Sequence, residues 1–488
     1  MNPTNSNLDQ ITTPGMQPRQ AHFVGIGGTG MRALATVLLE RGWTISGSDL
    51  DPESAARLVS RGVRVFTGHA SSNVPQGTQI LVYSDAVPSV NCERRRAEQL
   101  GIVARSYAQM LGELTSEINA TSAGRTLAVA GTHGKSTVTA MAAEILIRAG
   151  LDPTVICGAA PAALQDGAVA QTGGRHGHGG VTLVEACEYR ESFLHLRPQV
   201  AVITNIEPDH FDYFRSSEQL DRAFERFAES VPPSELLIVG RDSNRATSIA
   251  KASGRAMTTF GLSPDADWRA RNLEHSRGRY RFDLMRQGER LTTITLAVPG
   301  RHNVVNALAA AALARHCGVS IRQIAEGLAF FAGLKRRLEL RGRWHGVPWV
   351  DDYAHHPTEI RAALASVRQM LPRRRIFCVF QPHQASRLTI LLDELAASLH
   401  NADKLAVAKV FRAREGAPRP GEATAVDLAA TVRAGGIEVL DEHSPTAIAR
   451  RLGDELKSGD VLVTLGAGDL GKIFHEFRER IGRDRAAA

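Results

Sequence analysis

The run Ala130-Gly-Thr-His-Gly-Lys-Ser-Thr137 carries the residue types that hold phosphate. It follows an apolar stretch, Thr126 to Ala130, and precedes a helix-like stretch starting near Val138. Gly131 and Gly134 let backbone N–H groups approach a phosphate closely. Lys135 neutralises phosphate charge, Ser136 can hold Mg2+, and a helix N-terminus attracts an anion. The spacing falls short of the full Walker pattern, because Val129 stands where its first glycine belongs. A tight strand-to-helix turn with an incidental lysine is the competing reading.

A second glycine turn, Gly25-Ile-Gly27-Gly28-Thr29-Gly30, satisfies GxGxxG after one apolar run, with Asp49 about twenty residues on. It suits a dinucleotide or a nucleotide diphosphate. Taken alone, it would argue for an NAD-dependent oxidoreductase with Asp49 on a ribose hydroxyl. Carboxylates and imidazoles also end apolar runs, where α/β sheets bind ligands. They include Glu185 and Glu188, and the string Thr204-Asn-Ile-Glu-Pro-Asp-His210-Phe-Asp212. Beside a phosphate loop, one such carboxylate would serve Mg2+. Farther on comes Asp351-Asp-Tyr-Ala-His-His-Pro357. Adjacent strand residues face opposite ways, so one aspartate is expected on a ligand and the other as a cap for the next helix. In Phe380-Gln-Pro-His-Gln-Ala-Ser-Arg387, His383 and Arg387 could contact a carboxylate or phosphate.

The elements that must position these groups alternate as short apolar runs and amphipathic helices, which predicts α/β domains with mainly parallel sheets. The pattern restarts three times, with boundaries near residues 123 and 332. Within the second unit, Ala256–Phe260, Arg279–Leu284 and Leu291–Ala297 read as strands of a sheet insertion. The Gly/His-rich segment 173–180 reads as a flexible surface loop. At 488 residues, several domains are expected. The first twenty residues are polar and read as a disordered leader. No apolar run reaches membrane-spanning length. A net charge of +7 suits anionic small substrates, whereas Arg94-Arg95-Arg96 and Arg373-Arg374-Arg375 are too short for nucleic-acid arms. Five scattered cysteines without a CxxC pair fit a reducing cytoplasm. Monomer and homodimer both stay open.

In one order over about residues 21–475, these motifs resemble the Mur ligases, nearest the alanine-adding branch. The resemblance runs through Gly25-Ile-Gly-Gly-Thr-Gly-Met31, Ser46-Gly-Ser-Asp49, the Lys135 loop, Thr204-Asn-Ile-Glu207 and Asp209-His210. It continues in Gly300-Arg-His-Asn303, Asn306-Ala-Leu308, Lys335-Arg-Arg337, Asp351-Asp-Tyr-Ala-His-His-Pro357, Phe380-Gln-Pro-His383 and Gly466-Ala-Gly-Asp469.

The resemblance implies a Rossmann-like UDP-sugar domain over 21–123, a P-loop-type ATPase domain over 124–331 and a Rossmann-like closing domain over 332–488. ATP and Mg2+ would activate the muramoyl carboxylate of UDP-N-acetylmuramate as an acyl phosphate, for attack by L-alanine. It recasts the GxGxxG as a diphosphate cradle. The UDP-sugar would meet Gly25, Gly27, Gly28, Thr29, Gly30, Met31, Ser48, Asp49, Ser84 and Arg105. ATP would meet Gly131, Thr132, His133, Gly134, Lys135, Ser136, Thr137, Asn303, Asn306, Arg337 and Asp352. Ser136, Glu185 and His210 would hold metal, while Tyr353, His356, His383 and Arg387 would lie on the amino-acid side. Lys135, Glu185, His210 and Arg337 are thereby implied in catalysis.

Three places depart from the family pattern. Glu185-Ala-Cys187-Glu-Tyr189-Arg190 replaces two acidic positions, Gln384 and Leu388 alter the amino-acid motif with loss of an arginine, and Asp85 stands in Ser84-Asp-Ala86. A contact from a lost arginine to a carboxylate is often worth about 1.5–3 kcal/mol, so amino-acid preference is the least secure inheritance. A relative adding another amino acid or a peptide remains the near alternative.

Overall fold

A computed structural model describes residues 19–121, 124–161, 172–344, 346–468, 470–471 and 475. The leader up to residue 18, the boundary near 123 and Asp469 lie outside the described residues. Three sheets follow one another along the chain. The first is parallel, with strands β1 (Gln20–Val24), β2 (Thr44–Asp49), β3 (Arg64–Thr67), β4 (Ile80–Tyr83) and β5 (Val103–Ser106) in the spatial order 3-2-1-4-5. Its order reverses between β1 and β4. The glycine turn leaves β1 there, at the carboxyl ends where such sheets take ligands.

The second sheet has ten strands. Its parallel part contains β6 (Arg125–Ala130), β7 (Thr154–Ile156), β9 (Val181–Glu185), β10 (Val200–Ile203), β11 (Leu236–Gly240) and β12 (Ala256–Gly261), with the short β8 (Gly174–Arg175) antiparallel at its edge. Strands β13 (Trp268–Ser276), β14 (Arg279–Arg286) and β15 (Glu289–Pro299) extend the far edge as a meander. Of the strands expected as an insertion, Ala256–Phe260 falls in β12, and the other two fall in β14 and β15. Strand β13 joins them to β12 through Phe260–Trp268 pairing, and Trp268, Phe282 and Leu296 add to the core beneath helix Arg301–His316.

The third sheet comprises β16 (Glu339–Trp344), β17 (Val347–Asp352), β18 (Arg375–Phe380), β19 (Lys404–Val407), β20 (Glu438–Leu440) and β21 (Asp460–Leu465), ordered 16-17-21-18-19-20. Only the β16–β17 pair is antiparallel among these.

Apolar packing is not divided in three. One buried cluster runs from Phe23 and Leu34 of the first unit to Ile203, Phe224 and Phe227 of the second, while the third unit has clusters of its own. The segment 173–180 helps join the first two units, contrary to the flexible loop expected. The His176 N–H donates to Glu40 at 2.6 Å, and a Cβ on Gly174 would lie 2.1 Å from the Ala33 carbonyl oxygen. Contacts to the third unit are largely polar, the pattern of separable domains. No helix among the described residues is long and apolar enough to cross a membrane.

Candidate active site

Helix Lys135–Arg148 starts three residues earlier than its apolar pattern indicates. Gly134 precedes it at φ +83°, a left-handed conformation that glycine adopts without strain, and a Cβ there would stand 2.6 Å from Asn306 Oδ1. The loop is pinned by the end of β10. The His133 N–H donates to Asn205 Oδ1 at 3.0 Å, and the Thr204 hydroxyl donates to the His133 carbonyl at 2.6 Å. Thr132 Oγ1 accepts from Glu207 N at 2.9 Å.

Lys135 Nζ donates to the Gly131 and Thr132 carbonyls and lies 2.9 Å from Glu188 Oε2. Glu188 is 2% exposed, and its other oxygen lies 3.3 Å from His210 Nε2. Burial works against both charges, yet the pair holds Glu188 below the usual carboxylate range and Lys135 above its ordinary value. Glu188, only one of several carboxylates in the sequence reading, is therefore the counter-ion of the loop lysine. His210 faces it at φ +54°, an uncommon conformation for a non-glycine residue. Beside them, Ser136 Oγ donates to Glu185 Oε1 at 2.9 Å, and Glu185 Oε2 accepts from Gly158 N at 2.6 Å.

The loop separates two clefts. One, of about 520 Å³, is lined by Gly134, Thr137, Asn303, Asn306, Arg337 and Asp352. Burial raises the Asp352 carboxyl to about 6, against the pull of Arg337 and of the N–H groups of Leu338 and Ala354. The other, of about 650 Å³, brings together the three units: Thr29 and Arg32 from the first, Lys135 and His210 from the second, His383 and Arg387 from the third.

Several expectations need correction. Ser48 is fully buried, and its hydroxyl donates to Glu93 Oε2 at 2.6 Å, in a polar cluster with His22 and Asn73 beneath the first sheet. Met31 is 3% exposed and packs in the core. Asp49 Oδ2 accepts from Gly27 N at 2.7 Å, so it braces the glycine turn. Arg105 is ion-paired to Glu113. Gly25, Gly28 and Gly30 shape the turn, and Cβ atoms on Gly25 and Gly30 would crowd Ser84 and Tyr107.

In the third unit neither aspartate of the pair caps a helix. Asp352 accepts from Leu338 N and Ala354 N, and Asp351 accepts from the Thr464 hydroxyl. Four residues separate Asp352 from Pro357, and His356 is the N-cap of helix Pro357–Met370, accepting from Thr358 N. His356 thereby packs against the His133 ring, with centroids 4.6 Å apart, while Tyr353 and His355 line the larger cleft with His383. Burial holds His355 at about 4 and His383 at about 2, so both imidazoles are neutral.

The altered motif positions fall together. Tyr189 hydrogen-bonds Asp212 at 2.9 Å and presents its ring to the Arg414 guanidinium at 4.1 Å. Arg414 lines the larger cleft beside Gln384, which is 1% exposed with Nε2 unpartnered. Arg414, Asp209, His355 and Glu359 were not singled out from the sequence as site residues. For Glu359 a local signal existed, since it stands four residues after His355 in the first turn of a helix.

Against known proteins, residues 20–118 match the Mur ligase family catalytic domain, 129–314 the Mur ligase middle domain and 336–468 the Mur ligase glutamate ligase domain. A UDP-N-acetylmuramate–L-alanine ligase of Salinibacter ruber is 40% identical over 475 residues, covering 96% of each chain. This chain belongs to the Mur ligase family. A protein of the same description from Clostridium novyi is 37% identical, over 94% of this chain and 97% of its own. Among solved structures, the UDP-N-acetylmuramate–alanine ligase of Thermotoga maritima superposes with a TM-score of 0.79 at 25% identity, covering 96% of this chain and all of that one. A murein peptide ligase of Psychrobacter arcticus gives 0.71 at 25% identity, covering 95% and 99%.

Proposed function

We infer that this Mur ligase joins L-alanine to the muramoyl carboxylate of UDP-N-acetylmuramate at the expense of ATP, in the cytoplasm. One observation carries the reading: a single cleft gathers the glycine-turn helix, the Lys135 loop and a basic wall of Arg387 and Arg414. Three substrates that must meet need such a place.

The glycine turn and Arg32 would take the UDP-sugar, with Ser84 at the turn. The Lys135 loop would take the ATP phosphates, with Asn303, Asn306, Arg337 and Asp352 around the nucleoside in the smaller cleft. Ser136 and Glu185 offer adjacent hard oxygen donors, which suit Mg2+. His210 stands across Glu188 from Lys135, and would serve a second ion. Bound Mg2+ would supply positive charge to the transferring phosphoryl group.

A carboxylate is a poor electrophile. The muramoyl carboxylate oxygen attacks the γ-phosphorus, the bond to ADP breaks, and an acyl phosphate results. Lys135 is aimed at the charge that gathers on that phosphoryl group. The alanine amine then attacks the acyl carbon, loses a proton and expels phosphate, leaving the amide. On the amine side, His355 gives its Nδ1 proton to the Tyr353 carbonyl and keeps the Nε2 lone pair, whereas His383 Nδ1 accepts from Arg387.

Phosphate release tests the reading, with ATP, Mg2+, UDP-N-acetylmuramate and one amino acid at a time. Release stimulated by alanine is expected. Release with glycine, serine or a preformed peptide alone would replace alanine in the assignment.

A further inference from the structure

A second cluster of donors lies on the opposite side of the phosphate loop from Ser136 and Glu185. We propose that His133, Glu207 and His356 form a binding site for a borderline divalent cation, with Zn2+ as its best occupant, that ties the second unit to the third. One ligand atom from each residue falls within 4.8 Å of the others. His133 Nε2 lies 3.4 Å and His356 Nδ1 3.7 Å from the same atom, Glu207 Oε2. Both imidazoles are buried, with side-chain exposures of 11% and 7%.

The far ring nitrogens supply the independent argument. A metal-ligating histidine almost always gives its other nitrogen to a carboxylate or a backbone carbonyl, which fixes the ring and raises its basicity. His133 Nδ1 lies 3.3 Å from Glu359 Oε1, and His356 Nε2 lies 3.3 Å from the Pro208 carbonyl oxygen. Each ring therefore turns its remaining nitrogen toward Glu207. His133 Nε2 is fully buried, and its polar neighbour is Glu207 Oε2 at 3.4 Å, too long for a good hydrogen bond. Glu207 is itself held by the Thr358 hydroxyl at 2.7 Å. One bond competes: His356 Nδ1 accepts from Thr358 N at 3.3 Å, a long cap that a cation would displace.

Two imidazoles with one carboxylate suit Zn2+ or Co2+, whereas Mg2+ asks for oxygen donors in an octahedron. Three protein ligands leave a fourth position open. His133 and Glu207 line the 520 Å³ cleft together with Thr358 and Glu359, so a fourth ligand could enter from it. His133 and Glu207 belong to the second unit and His356 to the third, so an ion here would clamp the two and hold the cleft closed.

Equilibrium dialysis of the full chain without nucleotide tests this, using Zn2+, with Mg2+ as comparison and Co2+ as a visible-absorption probe of four-coordinate geometry. One Zn2+ per chain is expected, resistant to excess Mg2+ and abolished in Glu207→Gln and His356→Ala. Glu359→Gln should weaken it by about 10–100-fold. His178→Ala, which removes one ring of the separate His176–His178 pair, with centroids 5.0 Å apart, should leave uptake unchanged. Circular dichroism would verify that each variant is folded. Zn2+ uptake unaffected by Glu207→Gln and His356→Ala, or lost in His178→Ala, would overturn the site. So would a chain that takes up no Zn2+. No substrate is involved, so these outcomes stand apart from the ligase reading.

Discussion

Arg387 and Asp209 form a buried ion pair across the boundary between the third and second units, with Nη2 and Nε 2.7 and 2.8 Å from Oδ1 and side-chain exposures of 2% and 7%. The guanidinium also donates to the His383 carbonyl. Burial opposes the Asp209 charge, but Arg387 and the surrounding histidines hold its carboxyl well below the usual range. The residue expected beside the amino acid is thus first of all a strut that docks the third unit.

Asp209→Asn should cost about 3–5 kcal/mol, because it leaves a buried guanidinium without its counter-charge. Thermal unfolding of the third unit would show it. With a depressed folded pKa, the aspartate stabilises above its unfolded value near 4 and loses that contribution only as pH falls further. An unchanged melting profile at pH 7 would remove the strut from the account.

Lys135→Ala should lower phosphate release by about 10²–10³-fold, as expected for loss of a charge aimed at a transition state. The variant should also melt earlier, because Glu188 is left buried beside His210 alone. Lys135→Met with Glu188→Gln should regain the melting temperature and not the turnover. Turnover near the wild-type level in Lys135→Ala would contradict the role of the loop.

Gly134→Ala places a Cβ 2.6 Å from Asn306 Oδ1 at a left-handed φ, a conformation costing about 1–2 kcal/mol for other residues. We expect ADP binding, read by calorimetry, to weaken at least tenfold while UDP-sugar binding is retained. Equal loss of both ligands would point to general unfolding instead.

Asp352 gives a pH signature. Its folded pKa, raised to about 6, exceeds the unfolded value near 4, so the folded chain holds the extra proton and loses stability as pH rises from 4 to 6. A shift of two units corresponds to on the order of 3 kcal/mol. Relative to Asp352→Asn, the wild type should lose melting temperature across that window. A constant difference between the two would disprove the assignment.

Arg414→Ala tests amino-acid recognition. With Gln384 in place of an arginine, and Arg387 tied to Asp209, the Arg414 guanidinium on the Tyr189 ring is a second positive group near His383 in that wall. Loss of a charged hydrogen bond of about 1.5–3 kcal/mol should raise KM for alanine at least tenfold. KM for ATP should stay put, and an equal change in both would assign Arg414 to closure.

Contiguous features were legible in the chain. The phosphate loop, the glycine turn and the alternation of apolar runs each depend on neighbours within a few residues, so residue order displays them. Ser48 was misread because its strand end lies next to the glycine turn, while its hydroxyl belongs to a cluster closed by Glu93, forty-five residues later. Gln384 marked a lost charge, and the sequence had no way to show Arg414 approaching on the far side of Tyr189.

By itself, then, the sequence determined three α/β units, a phosphate loop and the family to which they belong, because local backbone chemistry needs particular residues at particular spacings. Only the tertiary structure decided that Glu188 is the partner of Lys135, that Asp209 holds Arg387, and that His355 lines the cleft while His356 turns to His133. Those choices depend on distances between residues far apart in the chain, and on burial that makes an unpaired charge too costly to leave.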